Sequence, residues 1–336
     1  MLTGRPGRRG HWLRALLLLL GVGVVVVLVH EAGPALVWRS IRAIGWRLPL
    51  VVLVPYTLST TLHTVGWRLT FPRRPPPFLV LWRTRVIGEA VNVSTPTASV
   101  GGEPVKAFLL RAWAPLGDAF ASVVLDKTMV VTGQGLFLLA GLVLATWLIP
   151  PSSPLLSVMG GLLLLETLAV AGFVAVQLRG VAGRGGRLLS RFGVGPGAER
   201  QAKLEGLDDA IAAAYRRRPA RLVESTLWHL AAWAAGGLEL YLILAFLGLP
   251  VSLTTAFVLE SFGAAVRFAS FVIPASLGAL EGGNMAIFAA LGFPAGVGLT
   301  ATLVRRLREV AWAVSGLIAF AAQTARPVPT SGDPAA

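Results

Sequence analysis

Apolar residues run in long blocks along this chain, near residues 12–29, 48–66, 119–148, 155–178, 223–248, 251–272 and 296–322. About 20 apolar residues suffice to cross a bilayer as a helix. The blocks predict an all-α fold, a polytopic transmembrane helix bundle of about seven or eight spans. The first block follows a basic head, MLTGRPGRRGHWLR, as a signal peptide would. Its length, the lack of a small-x-small cleavage site and the later blocks make it the first transmembrane helix. Between the blocks, PRRPPP breaks any helix in a loop at 68–85, and the longest loop covers 179–221. Within that long loop, LDDAIAAAYRRRP reads as a surface helix, with Asp208 and Asp209 on its solvated face. The end, QTARPVPTSGDPAA at 323–336, reads as a disordered tail, which leaves 1–322 as one membrane domain.

Two interruptions share a pattern. PTASVGGEPVKAFLLRAW starts at Pro96, and PASLGALEGGNMAIFAAL starts at Pro274. Each has a glutamate seven residues after the proline, Glu103 and Glu281, beside paired glycines (Gly101 and Gly102; Gly282 and Gly283). Gly278 adds a further break in the second. Each continues into an apolar run of 8–12 residues, too short to span, then a break near Gly117 or Gly292. Each ends in a long apolar block with charges about 24 residues beyond the glutamate, Asp126 and Lys127 in one and Arg305 and Arg306 in the other. Proline and glycine release backbone groups from the helical ladder. At membrane depth those groups must be met by protein or by a wet cavity. The segments near 96–148 and 274–322 therefore predict two broken, re-entrant helical hairpins forming an internal repeat. Short broken helices at matching places in two halves point to a transporter's binding site.

Composition sharpens the membrane reading. Charged residues make up 14% of the chain and mean hydropathy is +0.71, where soluble domains carry roughly 25% charge. The net charge is +14. The basic residues sit beside apolar blocks, where they encode topology rather than nucleic-acid binding. The loop 179–221 carries ten Lys and Arg against four acids, and the turns at 149–154 and 248–252 carry no charge. The positive-inside rule puts the N-terminus, 68–85 and 179–221 in the cytoplasm. The three arginines of 31–47 then lie outside, against the rule. There is no cysteine, and the four histidines (His11, His30, His63 and His229) show no ligand spacing, so no metal site and no cofactor are expected. NVS at 92–94 matches a glycosylation sequon but abuts the first interruption, and GRGGR at 183–187 follows no strand.

Charges inside apolar blocks carry the candidate chemistry. Each costs roughly 2.5–3.5 kcal/mol at mid-bilayer unless paired or hydrated. Arg305 and Arg306 can each pair with Glu309 along one helix. Glu281 meets an arginine of the following helix if the short helix folds back. Glu166 and Glu239 have no repeated counterpart, so structural pairing between helices is the favoured role for them. Glu103, Glu281, Lys127, Arg305 and Arg306 are the functional candidates. Lys106, Asp126, Arg267 and Glu309 complete the expected cavity.

TPTASVGGEPVKAFLLRAW with SVVLDKTMVV, and ESFGAAVRFASFVIPASLGALEGG with LVRRLREV, resemble the flippase-like membrane domain found in lysylphosphatidylglycerol synthases. The likeness covers residues 12–322, and the second half is most similar to a hopanoid-biosynthesis-associated subgroup. The resemblance implies a multi-pass protein of the bacterial inner membrane, with a cytoplasmic N-terminus, that moves a lipid or glycolipid headgroup between leaflets. Lys127, Arg305 and Arg306 would hold a phosphate, while Glu103 and Glu281 would balance them or bind a proton or a cationic headgroup. The aminoacyl-transfer domain of the best-known members has no counterpart in this sequence, so the chain is not expected to act as an enzyme. Lipid-biosynthesis enzymes are the expected protein partners. Two rival readings are an intramembrane enzyme acting on a lipid or polyprenyl headgroup and a non-transporting scaffold.

Overall fold

The computed structural model describes residues 44–95, 101–191 and 196–325, together with Ala35, Trp38 and Arg42. The expected span at 12–29, Pro96 and the tail beyond 325 lie outside the described residues. Eleven α-helices and no strand are found among them: α1 Leu48–Leu69, α2 Phe78–Ser94, α3 Gly102–Leu109, α4 Leu116–Ala145, α5 Pro154–Arg179, α6 Val181–Arg191, α7 Ala198–Arg217, α8 Pro219–Phe246, α9 Leu253–Ala269, α10 Ala279–Ala290 and α11 Ala295–Ala325. Among the described residues, four stretches are long and apolar enough to cross a membrane: Gly45–Leu69, Leu116–Ala145, Pro154–Arg179 and Pro219–Phe246.

Local chemistry sets many of the boundaries. Pro154 and Pro219 open α5 and α8, where a missing N–H costs nothing. Ser252 accepts a hydrogen bond from the Thr255 N–H and caps α9. Gly180, at φ 66°, ends α5 in the left-handed region that favours glycine. The expected loop at 68–85 is corrected at both ends. Arg68 belongs to α1, and the prolines stop at Pro77, whose carbonyl accepts from the Val80 and Leu81 N–H groups. Prolines break a helix they sit inside but can precede one. Arg83 and Arg85 therefore ride on α2. The expected span at 251–272 shortens to the 17 residues of α9, followed by an irregular stretch. The expected span at 296–322 is the 31-residue α11, which carries Arg305, Arg306, Arg308 and Glu309. The first hairpin breaks at Trp113–Pro115 rather than at Gly117, which sits in the first turn of α4 with open space around it.

A four-element order recurs: α1, α2, α3, α4 and then α8, α9, α10, α11. Each set has a long helix, a 17-residue helix, a short helix and a helix of 30 or 31 residues. The leading helices α1 and α8 pack on each other in opposite directions. Ser59 meets Ala232, His63 meets His229 and Gly66 meets Ser225. Successive helices inside each set are also antiparallel: Gly88 lies against Lys106 and Asn92 against Gly102, while Gly263 lies against Asn284 and Asn284 against Gly298. Every element of one set thus runs opposite to its counterpart, which makes the two sets inverted repeats. Each set also lends its long last helix to the other's 17-residue helix: Gly316 of α11 packs on Val86 and Ala90, and Gly141 of α4 packs on Ser261.

Apolar clusters close the two ends of the bundle. At one end Trp67, Phe71, Leu81, Leu110 and Ala119 pack together, with Leu125, Ile211 and Leu222 beside them under α7. At the other, Val51, Leu138, Leu244, Val258, Phe288 and Val304 do so. Each broken hairpin starts and finishes at its own end. The tips of both point inward, and the polar residues collect between the clusters. On α5, Leu164, Leu165, Leu168 and Phe173 face outward, as lipid contact requires.

Candidate functional site

Between the hairpin tips lies a cavity of about 520 Å³, within the range of small-ligand sites. Seven cationic side chains (Arg85, Lys106, Lys127, Arg267, Arg305, Arg306 and Arg308) and six carboxylates (Glu89, Glu103, Asp126, Glu239, Glu260 and Glu309) line it. Tyr56, His63, Trp233, Phe268 and Trp312 complete the wall.

The first repeat builds one charged group. Glu103, in the first turn of α3, meets Lys106 at 3.2 Å and Lys127 of α4 at 3.6 Å. Lys106 also donates to Glu89 of α2 at 2.9 Å. The amide of Asn92 donates to Glu103, while its oxygen accepts from the Gly102 N–H at 2.7 Å. Asn92 is thus a buried tie across the hairpin rather than a glycosylation acceptor. The approach demands glycine, since a Cβ on Gly102 would lie 2.0 Å from the Gly88 carbonyl oxygen. Beside this group, Arg85 donates to Asp126 at 3.1 Å and to the His63 carbonyl at 3.2 Å.

The second repeat builds its partner. Glu281 accepts from the Gly278 N–H at 2.8 Å, capping α10, and from Arg306 Nε at 2.9 Å. Arg306 also donates to Glu309 and to the Ala275 carbonyl, both at 2.8 Å. Ala275 and Ser276 stand at φ 50° and 51°, a strained turn that the guanidinium holds from within. Gly283 packs on Val266, whereas Gly282 faces open space, and Pro274 opens a 3-10 turn. Arg267 pairs with Glu309 at 3.2 Å. Arg305 pairs with Glu260 and reaches Glu239, and Arg308 also pairs with Glu239.

Of the expected site residues, Glu103, Lys106, Asp126, Lys127, Arg267, Arg305, Arg306 and Glu309 line the cavity. Glu281 stands behind Arg306. The expected pairing of Arg305 with Glu309 along α11 gives way to pairing with Glu260 and Glu239 across helices. Glu239, read from sequence as a structural charge, is both: it braces two arginines and reaches the cavity. Arg85 was hidden in the expected loop at 68–85, Glu89 in the stretch between that loop and the first interruption, and the histidines by their separation, since His63 lies 166 residues from His229. Glu166 is buried on α5, away from the cavity, and both its oxygens lack a hydrogen-bond partner. Asp208 accepts from the Gly183 N–H at 2.7 Å, tying α7 to α6.

Accessibility separates two kinds of charge. The side chains of Lys127 and Arg267 are each 37% exposed and that of Glu89 is 41% exposed. Arg305 and Arg306 are 9% and 5% exposed, with carboxylates on both sides. The first three can meet a ligand. The last two are braces of the wall, and removing one partner of such a buried pair costs about 3–5 kcal/mol.

Residues 13–317 match the family described as the lysylphosphatidylglycerol synthase TM region. A UPF0104 membrane protein of Methanothermobacter thermautotrophicus is 29% identical over 34% of this chain and 32% of its own length. UPF0104 membrane protein PH1989 of Pyrococcus horikoshii is 24% identical over 87% of this chain and 91% of its own length. No solved structure matches.

Proposed function

The chain belongs to the lysylphosphatidylglycerol synthase TM region family, and from that premise we propose that it carries a lipid headgroup between membrane leaflets. The observation that supports this reading best is the cavity itself. A charged chamber in a bundle with lipid-facing helices suits a polar headgroup whose tails stay in the bilayer. Its size admits a headgroup but not a whole diacyl lipid. Lys127 and Arg267, the most accessible cations, would hold a phosphate, and Glu89 a cationic part of the headgroup. Glu103 and Glu281 keep the neighbouring cations in place.

The end of the bundle that holds Arg68, Arg73, Arg74, Arg179 and Arg218 is the cytoplasmic one under the positive-inside rule. The span that the sequence predicts at 12–29 would then give a cytoplasmic N-terminus, with the inner membrane as host. The protein acts as a carrier rather than an enzyme, with lipid-biosynthesis enzymes as its partners.

The test is leaflet distribution in proteoliposomes, read by quenching fluorescent phospholipid, hopanoid and polyprenyl-linked probes from one side. Wild type is expected to speed one class well above empty vesicles. Lys127→Ala and Arg267→Ala should lose that rate while keeping the thermal midpoint of the wild type. Arg306→Ala should lose stability by about 3–5 kcal/mol, as a broken buried pair does. A wild type that moves no probe removes the carrier reading. Turnover of a polyprenyl probe would favour the intramembrane enzyme instead.

A further inference from the structure

At and behind the wall of the cavity stand two histidines that the headgroup reading leaves without a task. His63 of α1 and His229 of α8 face each other with their Nδ1 atoms 2.8 Å apart. Nε2 of His229 lies at ion-pair distance, 3.1 Å, from Asp126 Oδ1 and makes no hydrogen bond. His229 is fully buried, while His63 lines the cavity. The slot for the buried ring is built by glycine on both sides. A Cβ on Gly66 would sit 2.8 Å from the His229 ring, and one on Gly133 would sit 3.0 Å from its Cβ.

This order of atoms dictates the proton positions. Beside a carboxylate, Nε2 of His229 carries hydrogen, so in the neutral ring Nδ1 is an acceptor. Nδ1 of His63 must then donate to it, which leaves Nε2 of His63 as a bare lone pair. We infer that the row His63–His229–Asp126 is a proton-binding site that couples headgroup transfer to proton movement, an inference that rests on the carrier reading. A proton from cavity water binds Nε2 of His63. The Nδ1 proton of His63 then passes to Nδ1 of His229. His63 becomes neutral again in its other tautomer, and the charge rests on His229 against Asp126. One proton enters and no other group changes. Release reverses each step.

The charged groups that face the pair are Arg85 from α2, Lys106 from α3, and Asp126 and Lys127 from α4. Arg85 is opposed by Asp126, and both lysines by Glu103. Loading the row adds one positive charge beside Lys127. An anionic headgroup and the proton therefore favour each other's binding and travel together.

The experiment uses full-length protein in vesicles of phosphatidylethanolamine and phosphatidylglycerol, with fluorescent phosphatidylglycerol as probe. An imposed pH gradient should shift the final leaflet ratio of the probe by up to about tenfold per pH unit, the limit for one proton per headgroup. His63→Gln and His229→Gln should give the same ratio with and without the gradient. Nitrogen-15 NMR of the histidines in detergent provides the second readout. With His11 and His30 both replaced by glutamine, one imidazole should gain a proton on acidification, and adding His63→Gln should abolish that signal. Flipping that always ends at an even distribution overturns the coupling and leaves the carrier reading standing. No flipping under either condition removes the carrier reading. Histidines that keep one protonation state from pH 5 to 8 overturn the proton site whatever the lipid does.

Discussion

At the residue scale, glycines that look alike in sequence do different work. Gly102 and Gly282 both flank a hairpin glutamate. Gly102 lies against the Gly88 carbonyl, whereas a Cβ on Gly282 would touch nothing. Gly102→Ala should lower stability by about 1–3 kcal/mol, the usual cost of overpacking. Gly282→Ala should raise it by roughly 0.5–1 kcal/mol, since alanine suits a helix interior better. Thermal unfolding in detergent reads both, and equal effects would remove the distinction. The same contrast explains which site residues could be read without a structure. Glu103, Lys127, Glu281 and Arg306 recur at matched spacing and are in contact within their own halves. Asp126 finds its arginine 41 residues away on a helix hidden behind prolines, and its histidine lies on the other repeat. Spacing along a chain carries local pairs, and it carries no sign of pairs made only by packing.

At the element scale, the apolar blocks located the long helices because burial in lipid is a local property of sequence. The 17-residue α9 lies within the apolar block at 251–272, whereas in α2 the charges Arg83, Arg85 and Glu89 interrupt the apolar run. Their shortness is what lets each hairpin turn back inside the bundle. The turn of the second hairpin stores strain at Ala275, where φ is 50°. Ala275→Gly should relieve about 1 kcal/mol and raise the unfolding midpoint. An unchanged or lower midpoint would mean that the turn is not strained in the folded protein. Arg306 would still hold the backbone carbonyl at this position, so the hairpin is expected to keep its shape.

At the scale of the whole molecule, the two repeats face opposite ways, and the chain has no cysteine to confuse a labelling map. Single variants Arg74→Cys and Pro250→Cys, in the matching turns of the two repeats, should react with an impermeant maleimide from opposite sides of sealed vesicles. Reaction from one side alone would refute the inverted arrangement. That arrangement also gives α5 a purpose that its absence from the cavity wall conceals. Each repeat runs the length of the bundle an even number of times, by its two long helices, and so begins and ends at the same end of the bundle. Two such units joined directly would point the same way. A single extra crossing placed between them turns the second upside down, and α5 is that crossing. It is a spacer of odd parity: its length and its oily flank matter, and the chemistry can be left to its neighbours.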